Sequence, residues 1–209
     1  MYKRGILLSA CLGVMMASAT AFGQASGPDR AAFEKSRNRG IEYLRNSQAD
    51  DGSWVQSEAV GITGLCVYGL LNAGVPVEDP AIVKALKKLE SFAQADGRIC
   101  AAKSRIAGYE TSIAVMTFQA ANASGKYDAL VKKADQFLRG MQFDEGENVA
   151  RSDARYGGVG YSPGGGRPDL SNTIFLVEAL KAAGAKPDDE AMQKALVFVS
   201  RCANLESEL

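Results

Sequence analysis

The sequence contains no histidine among its 209 residues. Histidine is the commonest metal ligand in proteins and a frequent general base. Its absence excludes every Ser-His and Cys-His catalytic arrangement and removes the usual zinc ligand. We therefore expect neither a histidine-dependent catalytic site nor a metal site, and we predict no cofactor.

The chain also lacks an excess of either charge. It has 24 basic and 24 acidic residues, and no stretch is densely basic. Proteins that bind nucleic acids generally carry a concentrated basic face. We therefore predict no nucleic-acid partner.

Long apolar runs are scarce as well. The run from Gly5 to Ala17 follows two basic residues and leads into small residues. It is shorter than the roughly 20 apolar residues of a membrane-spanning helix and is typical of a secretory signal. We predict a signal peptide over residues 1–25, an exported (periplasmic or secreted) domain over residues 26–209, and no spanning helix after signal removal. Leu8-Ser9-Ala10-Cys11 resembles a lipoprotein lipobox, so acylation of Cys11 is the alternative.

Cysteine is sparse and odd in number after signal removal. Cys66, Cys100 and Cys202 remain. At least one thiol is therefore free or pairs outside the chain.

A repeated marker organises the rest of the sequence. Its fullest copy is Gln48-Ala49-Asp50-Asp51-Gly52-Ser53-Trp54, and eroded copies begin at Gln94 and Gln142. The glutamines are 46 and then 48 residues apart, and a fourth copy with Ala203 in place of Gln follows after 61. Such a period predicts an array of supersecondary units. We assign structural roles to the following marker residues: Gln48, Asp51, Gly52, Trp54, Gln94, Asp96, Gly97 and Gln142.

Each repeat is predicted to contain two different helices. One kind is amphipathic and begins at an aspartate cap, at Asp29, Asp79 and Asp188. The other kind is nearly uncharged, as in 59–73, 111–124 and 173–183. Helices that are apolar all round are expected to be buried on all sides. Charged outer helices around apolar inner ones predict an all-α fold with stacked hairpins.

The marker itself lies where an outer helix ends. Asp51-Gly52 and Asp96-Gly97 suit the left-handed backbone conformation that stops a helix. We expect the glutamine to bond the free carbonyls of the last helical turn, and Trp54 to cover that turn.

The marker resembles the QW motif of the prenyltransferase and squalene oxidase repeat family, which includes the squalene (terpene) cyclases and the β subunits of protein prenyltransferases. Tyr156-Gly-Gly-Val-Gly-Tyr161, followed by Pro168-Asp-Leu-Ser-Asn-Thr173, is also similar to a repeat of that family. The resemblance implies an α/α toroid in which the QW residues join outer helices to neighbouring repeats. In this chain it would be an incomplete arc of about three and a half hairpins. We therefore expect the chain to be the N-terminal part of a longer protein or a truncated product. The apolar inner helices of such an arc would be exposed.

The resemblance does not supply a catalytic site. The cyclases of the family protonate their substrate with an Asp-x-Asp-Asp motif, which this sequence lacks. The protein prenyltransferases hold zinc with Asp, Cys and His, and this set cannot be carried over without histidine. We predict no catalytic residue in this chain.

A glycine-rich segment over 151–172 is the most informative irregular stretch. Backbone amides, two guanidinium groups and a helix N-terminus could hold a carboxylate or diphosphate there. The candidate ligand-binding residues are Arg155, Tyr156, Tyr161, Arg167 and Asp169. The alternative is a long loop whose glycines only serve turns.

Three functions remain open from the sequence. The first is a binding or scaffold module that holds an apolar, isoprenoid-like ligand or a protein partner on its inner helices. The second is a terpene cyclase or prenyltransferase-like enzyme whose catalytic residues lie in a missing C-terminal half. The third is a polysaccharide-active enzyme, for which Glu58, Glu110 and Glu178 are the carboxylates near the inner helices.

Overall fold

A computed structural model describes residues 29–55, 58–163 and 166–203. The predicted signal peptide and Cys11 lie outside the described residues. Within the described ranges no helix is both long enough and apolar enough to cross a membrane.

The described residues are helical, as predicted. Their regular structure includes seven α-helices, one 3-10 turn and an isolated β-bridge between Ala93 and Ile99. The elements are α1 (Arg30–Ser47), α2 (Val60–Asn72), α3 (Pro80–Glu90), α4 (Ala107–Ala120), α5 (Asp128–Arg139), the 3-10 turn (Glu145–Glu147), α6 (Leu170–Ala182) and α7 (Glu190–Cys202).

Aspartate caps start several of these helices. Asp29 and Asp79 each accept a hydrogen bond from a first-turn amide, and Pro80 occupies the first turn of α3. The cap predicted at Asp188 is wrong by one residue, because the side chain of Asp189 accepts from the amide of Ala191. The predicted start of α4 at Thr111 is also late, since the helix begins at Ala107.

The apolar helices lie next to one another. Helix α4 contacts α2 on one side and α6 on the other, while α3, α5 and α7 pack on α2, α4 and α6 respectively. The α2–α4 contact is close because Gly64 has no side chain: a Cβ there would lie 2.8 Å from Cγ2 of Ile113. The hydroxyl of Thr117 donates to the carbonyl of Gly64 at 3.0 Å across the same contact.

All-round burial holds for α4 but not for its two neighbours. From Ala107 to Phe118, every residue of α4 except Tyr109 is buried. In contrast, α2 and α6 each keep an exposed apolar stripe. Its members are Ile62 and Leu65 on α2 and Leu170 and Ile174 on α6. The prediction of complete burial is therefore wrong for α2 and α6, because α4 alone has a neighbour on both sides.

The marker glutamines join consecutive outer helices. The side-chain amide of Gln48 donates to the carbonyls of Gly52 at 3.1 Å and Ala81, in the first turn of α3, at 2.8 Å. Gln142 donates likewise to Gly157 at 2.8 Å and Ala191, in the first turn of α7, at 2.9 Å. The expected bond from Gln48 to the end of its own helix is wrong.

The indole of Trp54 makes that bond instead. Its Nε1 donates to the carbonyl of Leu44, in the last turn of α1, at 2.9 Å, and the side chain is only 3% exposed. The predicted cover of the helix end is therefore confirmed. The left-handed backbone at Gly52 and Gly97 is confirmed too, with φ of 90° and 95°.

The backbone after each marker is fixed in the same way by an inner helix. The amide of Trp54 donates to the hydroxyl of Thr63 at 3.4 Å. The equivalent bonds run from Ile99 to Thr111 at 3.0 Å and from Val159 to Thr173 at 3.2 Å. The same type of turn therefore occurs in three repeats, and in each repeat it connects an outer helix to an inner one.

This equivalence locates the insertion in the third repeat, which the sequence spacing alone places in the glycine-rich segment. Its marker glycine is Gly157, at φ 84°, where a Cβ would overlap the carbonyl of Lys194 in α7. The insertion therefore lies among the fourteen residues 143–156 between Gln142 and Gly157, where the first two copies have three and two residues, and it overlaps the glycine-rich stretch of 151–172 only in part. Asp144 begins the 3-10 turn of this insertion and is not a marker aspartate.

The second junction is built differently. The amide of Gln94 donates within its own turn, to the carbonyl of Cys100 at 3.1 Å. Gly97 of this turn lies against α5, where a Cβ would overlap the carbonyl of Lys133, and an open groove of about 350 Å³ lies beside this contact. Glu90 joins α3 to the start of α5 by accepting from Lys126 at 2.7 Å and Tyr127 at 2.8 Å.

We predict that Gln142→Ala lowers the free energy of unfolding by about 2–4 kcal/mol, because it removes two buried hydrogen bonds and leaves the carbonyl of Gly157 without its side-chain donor. Gln94→Ala, the matched control, removes a half-buried amide that joins no second helix and is expected to cost about 1 kcal/mol. Urea unfolding measures both values. Equal losses in the two variants would contradict the bridging role of Gln142.

Candidate functional site

A groove opens where α2 and α4 begin. It has a volume of about 480 Å³ and lies between the first turn of α2 and the loop that leads into α4. Its apolar and neutral lining includes Ala59, Ile62, Ala101, Ser104, Ile106 and Tyr109. Ligand pockets commonly have volumes of roughly 300–1,000 Å³, so the groove is large enough for a small molecule.

Glu110 is the chemically distinctive residue of this groove. It lies in the first turn of α4, is 4% exposed, and its Oε2 has no hydrogen-bond partner. Burial raises the pKa of the carboxyl above its ordinary value of 4.5, although the hydroxyl of Ser104 and the amides of Gly61 and Ala101 act in the opposite direction. Burial dominates because the carboxylate loses more hydration free energy than its hydrogen bonds to these groups restore.

A carboxyl with a raised pKa can, when it is protonated, donate as well as accept a hydrogen bond. Its protonated form persists to higher pH than that of an exposed glutamate, as with other carboxylic acids in apolar sites. A raised pKa also makes it a weaker acid, which is the wrong direction for protonating an alkene. The group is therefore better suited to binding a polar atom than to starting a carbocation reaction.

Charged side chains border the groove. Glu58 lies at its α2 side, and Lys103 and Arg105 lie on the loop before α4; all three are exposed. Glu178, the third carboxylate noted in the sequence, lies on α6 and pairs with Lys181 at 3.0 Å. The structure thus brings Glu58 and Glu110 to one groove and leaves Glu178 paired elsewhere.

An aromatic pair links Tyr109, one of the residues that line the groove, to α6. The ring of Tyr109 packs edge-on against Phe175, with centroids 4.8 Å apart and planes at 83°. On its other side the ring contacts α2, since a Cβ on Gly61 would lie 3.1 Å from Cε1 of Tyr109. Tyr109 therefore contacts both α2 and α6 at the start of α4.

The candidate residues of the glycine-rich segment fall into two groups. Arg155 pairs with Asp153 at 2.8 Å and lies over the ring of Phe143. Tyr156 is buried and donates its hydroxyl proton to Glu145 at 2.9 Å. Both residues thus hold the insertion together through contacts within the chain.

The other three candidates lie nearer to α4 and α6. Asp169 caps α6 by accepting from the amide of Asn172 at 2.8 Å. Tyr161 is half exposed, and its carbonyl accepts from the amide of Gly108, in the first turn of α4, at 2.9 Å. Arg167 is exposed. Of the five candidates, Tyr161 alone has a described contact at the end of α4 that carries Glu110, so the structure does not assemble the five into one site.

The groove was missed because its loop carries no motif. Ser104, Ile106 and Tyr109 are ordinary residue types in an irregular segment. Glu110 was noted only as one of three glutamates near the inner helices. The available signal was its position as a lone acid at the edge of an uncharged helix.

The three cysteines do not pair within the described part of the chain. Cys66 is half-buried, Cys100 is buried and Cys202 is exposed. Burial raises the pKa of the Cys66 and Cys100 thiols, which disfavours the reactive thiolate. The residues that the structure describes contain no cluster of three or more Cys, Asp or Glu able to hold a metal ion.

Comparisons with known proteins add no assignment to this geometry. No protein-family model matches the chain, and no curated protein matches it either.

We predict that Glu110→Gln becomes progressively more stable than the wild type as pH rises. The folded carboxyl has a raised pKa, so its stabilising contribution is complete below the unfolded value near 4.5 and is lost as pH rises through the folded value. Glutamine does not titrate and avoids this loss. Urea unfolding of both proteins between about pH 4 and pH 8 measures the difference.

The control for the loss of a glutamate charge is Glu178→Gln on α6, where the carboxyl is 48% exposed. The Glu110→Gln difference should grow with pH and then level off. A pH-independent difference for Glu110→Gln would contradict the account of the buried carboxyl.

Proposed function

We propose that the chain is an exported repeat module of the prenyltransferase and squalene oxidase repeat type, arranged as an α/α-toroid-like arc. We further propose that it binds an apolar, isoprenoid-like ligand on the exposed face of its inner helices. A protein partner on the same face is the other occupant that the test below distinguishes.

The connections between outer helices support the repeat type. Gln48 and Gln142 each join the end of one outer helix to the first turn of the next. Arg45 and Arg139, three residues before these glutamines, bind the cap aspartates of the same next helices, Asp79 at 2.6 Å and Asp189 at 2.8 Å. The resemblance implies that marker residues join outer helices to neighbouring repeats, and these contacts agree with that expectation.

The proposal of ligand binding rests on the exposed apolar residues of α2 and α6. Ile62 and Leu65 on α2 are 45% and 40% exposed, and Leu170 and Ile174 on α6 are 45% and 48% exposed. Ile62 and Tyr109 also line the groove beside Glu110, and Tyr109 packs against Phe175 of α6. Exposed apolar surface next to a groove is typical of a binding site.

Binding is favoured over catalysis by the chemistry of Glu110. A cyclase must protonate an alkene, which needs a strong acid, whereas burial weakens this one. The groove therefore offers a surface and a polar anchor rather than a reaction centre.

The proposal predicts that polar substitutions on the inner stripes reduce ligand binding. Ile62→Ser with Ile174→Ser should weaken equilibrium binding of radiolabelled farnesene, a fifteen-carbon isoprenoid hydrocarbon, by roughly tenfold or more, because apolar contact area is lost. Both side chains are about half exposed, so the fold should tolerate the change.

The matched control changes exposed apolar residues on the outer helices. Val83→Ser with Leu196→Ser alters side chains that are 50% and 56% exposed on α3 and α7, and should leave farnesene binding unchanged. Equal losses in the two double variants would oppose the assignment to the inner face. Absence of farnesene binding by the wild type would instead leave a protein partner as the occupant.

A further inference from the structure

The three marker turns, at 48–54, 93–99 and 142–159, share one backbone hydrogen bond that identifies their equivalent residues. In each turn an amide donates to a carbonyl on the far side of the turn. The pairs are Ala49 to Ser53 at 2.9 Å, Gln94 to Arg98 at 2.8 Å and Phe143 to Gly158 at 2.9 Å. The residue before the donor is Gln48 in the first turn, Gln142 in the third and Ala93 in the second. Ala93 therefore occupies the position from which a glutamine joins two outer helices elsewhere.

The marker glycines identify the equivalent acceptors on the next outer helix. A Cβ on each glycine would crowd a lysine carbonyl, and the pairs are Gly52 with Lys84, Gly97 with Lys133 and Gly157 with Lys194. Three residues before these lysines lie Ala81, Leu130 and Ala191. The carbonyls of Ala81 and Ala191 accept from the bridging glutamines. Leu130 of α5 is their equivalent, and the side chain of Ala93 has no amide to donate to it.

An open groove lies beside this missing connection. The groove of about 350 Å³ is lined by Ala93, Gly97 and Leu130, among other residues. Ala93 is exposed, whereas Gln142 at the third junction is only 1% exposed. Solvent therefore reaches the second junction at the position where the third junction is closed by a buried amide.

The remaining polar link at the second junction is weak. Glu90 accepts from Lys126 and Tyr127, both of which precede the first residue of α5. The Glu90 and Lys126 side chains are 34% and 61% exposed, and an ion pair so open to solvent contributes little. Within the described residues, no side-chain hydrogen bond joins the turn at 93–99 to α5 itself.

We propose that the second junction is the point of flexure of the outer layer, where the turn at 93–99 opens and separates from α5. Local opening occurs most readily where few hydrogen bonds have to break. The inner helices stay packed, because the hydroxyl of Thr117 bonds the carbonyl of Gly64 between α4 and α2, away from this turn. The amide of Ile99, which donates to Thr111, keeps the end of the turn on α4. The inference is independent of the proposed ligand.

Amide hydrogen exchange of the wild-type protein tests the proposal. The amides of Gln94 and Phe143 are matched probes, because each donates across its own turn and exchanges when that turn opens. After correction for intrinsic exchange rates, the protection factor of Gln94 should be about tenfold lower, since its junction lacks the bridging amide. Equal protection of the two amides, or greater protection of Gln94, would overturn the proposal.

A substitution at the same position tests the cause. Ala93→Gln restores an amide at the bridging position and should raise the protection factor of Gln94 about tenfold while leaving that of Phe143 unchanged. Ala93→Met is the matched control, because its side chain is of similar length but has no N-H donor, and it should give a much smaller rise. Ala93 is exposed, so both variants are expected to fold. No rise with glutamine, or equal rises with glutamine and methionine, would overturn the inference.

Discussion

The structure depends on one short hydrogen-bonded connection, the amide of a marker glutamine donating to a carbonyl in the first turn of the next outer helix. At Gln48 and Gln142 this bond spans two outer helices and also closes the intervening turn. A first-turn carbonyl of a helix already accepts from its own helix, so the second donor adds a contact without disrupting the first. At these two junctions the glutamine bonds a backbone atom, so the residue type at the accepting position is not restricted by this contact.

The same stacking creates the candidate site. The outer helices hold α2, α4 and α6 close together, and the small side chains of α2 let α4 become buried almost completely. Ile62 and Leu65 on α2 and Leu170 and Ile174 on α6 remain exposed, and Tyr109 packs against Phe175 near the start of α4. Glu110 is buried in this packing because it lies in the first turn of α4. The burial raises the pKa of its carboxyl and leaves Oε2 without a hydrogen-bond partner. The site is thus a consequence of how tightly the inner helices pack.

Much of the fold was predictable because it depends on periodic patterns. The repeat period and the caps at Asp29 and Asp79 locate the helices, and the Asp-Gly pairs locate two turns. The third turn was misplaced because fourteen residues, 143–156, separate Gln142 from its glycine, and sequence spacing cannot distinguish a turn from an insertion within it. The partner of Gln48 was also missed, since Ala81 accepts through its backbone and any residue type could do so. Glu110 carried no motif, and its burial depends on contacts with α2 and with the loop directly before α4.

The central claim is that the inner-helix face binds an apolar ligand. Titration of farnesene into protein with labelled Ile, Leu and Val methyl groups, followed by nuclear magnetic resonance, tests it most directly. The account predicts saturable shifts confined to the inner face, at Ile62, Leu65 and Ile174, with Val83 and Leu196 unmoved. Shifts confined to the outer residues, or no saturable shift at any of the five, would contradict it.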